Sequence, residues 1–151
     1  MSTPASYRIR PAAAADLPAI YALVRELAVY ERAEHELVAD LAVYRRNFER
    51  GLFQVQVAEA DGAVVGMALY YLTFSTWKGR MLYLEDFVVR EDHRRHGLGQ
   101  RLFDAYLQAA RDQGCALAKW QVLDWNAPAV QFYEKNGATI ERQWWNGKLV
   151  F

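Results

Sequence analysis

Cysteine occurs once, at Cys115, so the chain has neither an internal disulfide nor a second thiolate to complete a metal site. That usage fits a reducing compartment. Charge of one sign is missing as well. Its 18 basic and 18 acidic residues cancel, which removes the global field that draws proteins to nucleic acid or anionic membrane. Histidine is scarce, and His35, His93 and His96 fall at no metal-ligand spacing. No segment approaches the roughly 20 apolar residues of a membrane span. The opening Met1 to Ser6 has neither the basic nor the apolar region of a secretion signal. The expectation is a cytoplasmic protein with no metal, nucleic-acid or membrane partner.

What is present suits one domain over residues 1–151, since 53% of the chain is hydrophobic and 24% charged. No repeat or linker interrupts it. Tyr7 to Pro11 alternates as a first strand. Asp16 is placed to cap a helix with Pro18 in its first turn, and Leu17, Ile20, Tyr21, Val24, Leu27 and Ala28 keep helical spacing. A second helix is expected over Val38 to Phe48, ending near Gly51. Phe53–Ala60 and Val64–Phe74 read as strands joined by the hairpin pair Asp61-Gly62. Met81–Val89 is the next strand. The helix after it carries Leu98, Leu102, Ala105, Tyr106 and Ala109 and stops at Gly114. Ala116–Leu123 reads as a strand, and Asn126-Ala127-Pro128 opens a short helix that closes at Asn136-Gly137. Thr139–Trp144 and Lys148–Phe151 are expected to form a closing hairpin around Asn146-Gly147. This order predicts an α/β mixed sheet with helices on its faces.

Met81 to Gly99 carries the chemistry. The apolar run Met-Leu-Tyr-Leu-Glu-Asp-Phe-Val-Val is broken by Glu85 and Asp86, and an ionised carboxylate in a core strand must be paired, hydrogen-bonded or neutralised. Strand alternation puts the two acids on opposite faces. Desolvation is expected to raise the pKa of Glu85 toward the range useful to a general base. Downstream, Arg94-x-x-Gly97-x-Gly99 opens a helix, where glycines let a ligand approach and the N–H groups attract phosphate. An ordinary strand-to-helix turn is the alternative reading. The spacing is neither a Gly-Lys-Ser/Thr phosphate loop nor the dinucleotide fingerprint.

Arg94-x-x-Gly97-x-Gly99 after an apolar strand, followed by Asn126-Ala127-Pro128-Ala129-Val130-Gln131-Phe132-Tyr133-Glu134-Lys135-Asn136-Gly137-Ala138, resembles the GNAT acetyltransferases. Tyr83-Leu84-Glu85-Asp86-Phe87-Val88-Val89 is similar to the spermidine/spermine (diamine) and thialysine acetyltransferase branch. So are Ile9-Arg10-Pro11-Ala12 with Ala15-Asp16, Glu26-Leu27-Ala28-x-Tyr30-Glu31, and Tyr70-Tyr71 followed by Trp77. The resemblance covers about Ile9 to Ala138. It implies the GNAT fold, a mostly antiparallel central sheet in which two parallel strands splay apart, with helices on both faces. It also implies acetyl-CoA as donor. Backbone groups of Phe87, Val88 and Val89 would meet the pantetheine arm, and Arg94, Arg95, His96, Gly97, Leu98, Gly99 and Gln100 would hold the pyrophosphate. Asn126 would lie beside the thioester, with Tyr133 as the acid for the leaving thiolate. Tyr30, Glu31, Trp77, Glu85 and Asp86 would recognise the amine, and the assembly would be a homodimer.

The chemistry agrees with a base at Glu85. A primary alkylamine has a pKa of about 10.4, so about one molecule in 10³ is neutral and able to attack a thioester at pH 7. Asn126 before Ala127-Pro128 is also a helix cap in its own right, and Trp144 and Trp145 read as core or interface contacts. Two alternatives remain: a non-catalytic acyl-CoA-binding or regulatory module, which the presence of both Glu85 and Tyr133 disfavours, and a protein amine acetyltransferase. Three features depart from the branch. Arg95 stands where glycine is common, Asn136 where a basic residue is usual, and the segment after Gly137 is shorter than in the polyamine enzymes.

Overall fold

The alternating residues of β1 (Tyr7–Pro11) are followed by α1 (Leu17–Tyr30) and α2 (Leu41–Glu49). Strands β2 (Gln54–Ala60), β3 (Ala63–Ser75) and β4 (Gly79–Val89) come next, then α3 (Leu98–Asp112), β5 (Leu117–Trp120) and α4 (Ala127–Lys135). The computed structural model describes residues 5–151. It divides into two compact units, one ending at Gln121 and the other running from Val122 to Phe151.

In the first unit the five strands lie in the order β1-β2-β3-β4-β5. The first four pair antiparallel, and β4 pairs parallel with β5. The Asp61-Gly62 turn forms as its composition predicts, with φ of +49° and +88°. On one face, Leu17, Ile20, Leu23 and Val24 of α1 pack on Val55, Val57, Met67 and Leu69, and Leu41, Tyr44 and Phe48 of α2 close the edge of that core. On the other face, Leu98 and Leu102 of α3 cover Ala58, Ala60 and Val65. Each such aliphatic side chain taken from water contributes about 1.5–3 kcal/mol. Gly66 lets α3 come close to the sheet. A Cβ there would sit 3.0 Å from the Val88 carbonyl and 3.2 Å from Leu102 Cδ1.

Asp16 occupies the residue before α1 but does not cap it. Its carboxylate instead takes a bidentate pair from Arg10, at 2.7 and 2.9 Å, and the Ala13 amide at 2.7 Å. Arg10 also reaches Glu59 on β2 at 3.1 Å. The second helix starts at Leu41 rather than Val38, because Asp40 caps it by accepting from the Val43 amide at 3.0 Å. Strand β5 is shorter than the apolar run around it, Leu117–Trp120 rather than Ala116–Leu123.

In the second unit α4 begins where Asn126 accepts from the Ala129 amide at 3.4 Å, and it ends before Gly137 at φ +87°. The expected closing hairpin is absent, for residues 138–151 hold no strand. Neither Asn146 nor Gly147 takes the left-handed conformation a tight hairpin turn requires, and an isolated two-stranded hairpin is marginal in water. Trp144 and Trp145 are 65% and 95% exposed, so they are not core residues. Among the described residues no helix is long and apolar enough to cross a membrane.

Candidate active site

Strand β4 carries a β-bulge at the two acids. Tyr70 pairs with Leu84, but its neighbour Leu69 pairs with Asp86, so Glu85 is an extra residue without a cross-strand partner. The bulge corrects the expectation that the acids point to opposite faces. Leu69 belongs to the core under α1, so Asp86 opposite it shares that face. Tyr71, two residues along from Leu69, stacks on Tyr83 with ring centroids 5.4 Å apart and donates its hydroxyl to Glu85 Oε2 at 2.9 Å. Both carboxylates therefore lie on the α1 side. In an unbroken register Glu85 would pair with Leu69 and Asp86 would fall on the α3 side.

Burial also acts on the other acid of the pair. Glu85 is exposed, whereas Asp86 is largely covered. The expectation of a desolvated Glu85 is corrected: burial first, then the charges of Glu85 and Glu31, push the pKa of Asp86 up to about 7. Glu31, at the C-terminal end of α1, is raised by its own burial and by Glu85. Tyr44 on α2 is raised to about 12, chiefly by burial and next by Asp86. Tyr83 is raised by burial and by Glu85. Among the described residues, the charges that shift Asp86 are the acidic ones of Glu85 and Glu31, so the three acids form a negative cluster.

The same end of β4 loses its parallel neighbour. Pairing with β5 stops at Leu84 and Trp120, so Glu85, Asp86, Phe87, Val88 and Val89 continue past the last β5 pair. The turn after β4 folds back through Arg94, whose Nε donates to the Val89 carbonyl at 2.8 Å. Arg95 takes φ +66° without being glycine, and Gly97 takes φ +74° as the residue before α3. No described side chain caps that helix. Its hydrogen-bond ladder opens from the Arg101 amide to the Gly97 carbonyl. The amides of Leu98 and Gly99 lie ahead of that bond, at the positive end of the helix dipole. Gln100 follows in the first turn, and the His96 ring lies against Tyr7 at 5.7 Å. An open strand edge leading to a glycine-bordered helix start fits a long phosphorylated thioester donor: backbone for the arm, helix amides for the diphosphate.

Tyr30 and Glu31 stand at the end of α1, and Glu31 joins the acids through its electrostatic coupling to Glu85 and Asp86. Trp77 is not brought to them. It is 85% exposed at the β3–β4 turn, and β4 from Gly79 to Glu85 spans about 20 Å at the usual strand rise. Asn126 and Tyr133 belong to the second unit. Asn126 is engaged in capping α4, and Tyr133 on that helix is buried, with its ring 5.6 Å from Phe132. Among the described residues no cluster of side chains suits a metal ion. Sequence reading missed the link from Tyr71 to Glu85, because the bulge that makes the two diagonal neighbours leaves no mark on residue types.

The acetyltransferase (GNAT) family model matches residues 17–138. The chain belongs to that family. It is similar to the thialysine N-epsilon-acetyltransferase of Mus musculus, 38% identical over 144 residues, 89% of this chain and 85% of the relative. It is also similar to the spermidine/spermine N(1)-acetyltransferase-like protein 1 of Homo sapiens, 34% identical over 141 residues, 87% of this chain and 20% of that longer protein. An aminoglycoside N-acetyltransferase solved in complex with CoA shares the fold at a TM-score of 0.78 and 16% identity, over 98% of both chains. The architecture is the mixed α/β sheet of this family, mostly antiparallel with one parallel pair and helices around it. GNAT members use acetyl-CoA, and the chain is an N-acetyltransferase of that class.

Proposed function

We propose that this protein transfers acetyl from acetyl-CoA to a primary amine of a small cationic acceptor, a diamine, a polyamine or a lysine-like amino acid such as thialysine. One observation carries the acceptor class: the carboxylate of Glu85 raises the cost of ionising both Glu31 and Asp86, and Glu31 adds to it at Asp86. An ammonium group entering there relieves that repulsion. The aromatic faces of Tyr71 and Tyr83 beside them attract cations as well.

In this reading the donor lies along β4 past Leu84, with Phe87, Val88 and Val89 against its arm. Its diphosphate sits at the turn from Arg94 through Gly97 to Gln100. The donor supplies an acyl group already activated as a thioester, and the chain supplies position and proton transfer. Glu85 takes the proton of the acceptor ammonium, directly or through one water, so that the neutral amine attacks. Tyr133 gives a proton to the departing thiolate, and Asn126 combines capping of α4 with a donor contact. Tyr30, Glu31 and Asp86 hold the rest of the acceptor. Trp77 acts on the acceptor only if a neighbouring copy brings its hairpin to the acids, which agrees with a homodimer, and the working compartment is the cytoplasm.

Release of free CoA tests the reading. Incubation with acetyl-CoA and, in turn, spermidine, putrescine, lysine, thialysine and a lysine peptide should give turnover with one or more of the small amines. Turnover with the peptide alone would replace the small acceptor by a protein, and turnover with none would remove the proposed acceptor class.

A further inference from the structure

A bulged glutamate is a poor base unless something holds it. Glu85 has no cross-strand neighbour, is exposed and carries a long flexible side chain. Tyr71 is its opposite in each respect. It sits within β3, pairs with Tyr83 across the ladder, and stacks its ring on that partner at an interplanar angle of 28°. From this fixed platform its hydroxyl donates to Glu85 Oε2 at 2.9 Å. We propose that Tyr71 is a positioning residue for acetyl transfer, its hydroxyl fixing the Glu85 carboxylate so that Oε1 faces the acceptor nitrogen. The inference rests on Glu85 being the base.

The direction of the hydrogen bond follows from the surroundings. Burial raises the pKa of Tyr71, and its contact with Glu85 raises it further, so the phenol keeps its proton and donates it to the bond throughout the working range. Oε2 is then engaged and Oε1 is left for the incoming proton. When the ammonium N–H bond breaks, that proton goes to Oε1 or to a water bound there, and the electron pair stays on nitrogen for the attack. Tyr71 itself neither gains nor loses a proton in the step.

Tyr71→Phe keeps the stack on Tyr83 and removes only the hydroxyl. The expected result is a fall in kcat of about three- to tenfold, the net scale of one hydrogen bond exposed to solvent. KM for acetyl-CoA should stay unchanged. The acid limb of the kcat/KM profile should move to higher pH, because losing a donor disfavours the ionised carboxylate. On a Glu85→Gln background the same change should have no further effect on rate.

Three results would overturn the proposal. In the first, Tyr71→Phe matches wild type in kcat and pH profile while Glu85→Gln loses the neutral-pH rate; the base then stands and Tyr71 is idle. In the second, the loss on the Glu85→Gln background equals that in wild type, so Tyr71 acts elsewhere. In the third, the loss is uniform across pH and comes with a lower unfolding temperature, which is a structural effect only. A Glu85→Gln enzyme with a wild-type pH profile would instead remove the base, and the positioning role with it.

Discussion

Asp86 stands opposite Leu69 in the β3–β4 ladder, one residue later than an unbroken register allows. That offset brings two adjacent carboxylates to one side of a sheet, where Glu85 acts on both Asp86 and Glu31. The covered acid and the exposed acid then have different work. Asp86 is the half-buried acid whose ionisation the cluster disfavours, and Glu85 is the one open to solvent.

Replacing Glu85 by Gln should lower kcat/KM at neutral pH by about a hundredfold or more, the usual scale of a general base. The deficit should shrink as pH rises toward the acceptor's own pKa, where the amine loses its proton unaided. Rates across pH 6 to about 10 check this, and a deficit independent of pH would remove the base.

Asp86→Asn should stabilise the fold above neutral pH. The folded pKa of about 7 lies above the ordinary carboxylate value, so between the two the native state binds more protons than the unfolded chain and stability falls as pH rises. Replacing the carboxyl by an amide removes that loss, worth on the order of 2–4 kcal/mol at pH 8 and about 0.5 kcal/mol near pH 4. Urea unfolding of both proteins across that window is the measurement, and an equal gain at both ends would contradict it.

Tyr133→Phe is expected to cut turnover about tenfold or more while leaving CoA affinity within about twofold, since only the proton for the leaving thiolate is lost. Titration calorimetry with CoA beside steady-state rates separates the two effects. Unchanged turnover would take Tyr133 out of the reaction.

Gly66→Ala should destabilise by about 1–3 kcal/mol, because the new methyl meets a backbone carbonyl at 3.0 Å and Leu102 at 3.2 Å. Thermal unfolding should show the midpoint falling by several degrees. A midpoint at or above wild type would mean α3 moves away from the sheet freely.

Most elements were legible because their signals are local. Helical spacing from Leu17 to Ala28 found α1, and Asp61-Gly62 found the β2–β3 hairpin. Yet Asn146-Gly147 is an equally good turn pair and forms no hairpin. Strands β2 and β3 are held between β1 and β4, whereas the last residues of the chain have no such neighbours in the ladder, and turn chemistry alone does not order a strand pair. The acids show the same limit. Glu85 and Asp86 were visible as costly residues in an apolar run, but which one is the more covered depends on pairing register. Alternation looks identical with or without a bulge.

The bulge has one more consequence. Around it, Leu84 faces α3 with Tyr70 and Asp86 faces α1 with Leu69, which is the ordinary alternation of a regular strand if Glu85 is taken out. A deletion of that one residue closes the ladder instead of flipping Phe87, Val88 and Val89 to the wrong faces. The acid proposed as the base is thus an insertion into a strand already complete without it, and a scaffold lacking that carboxylate lies a single codon away.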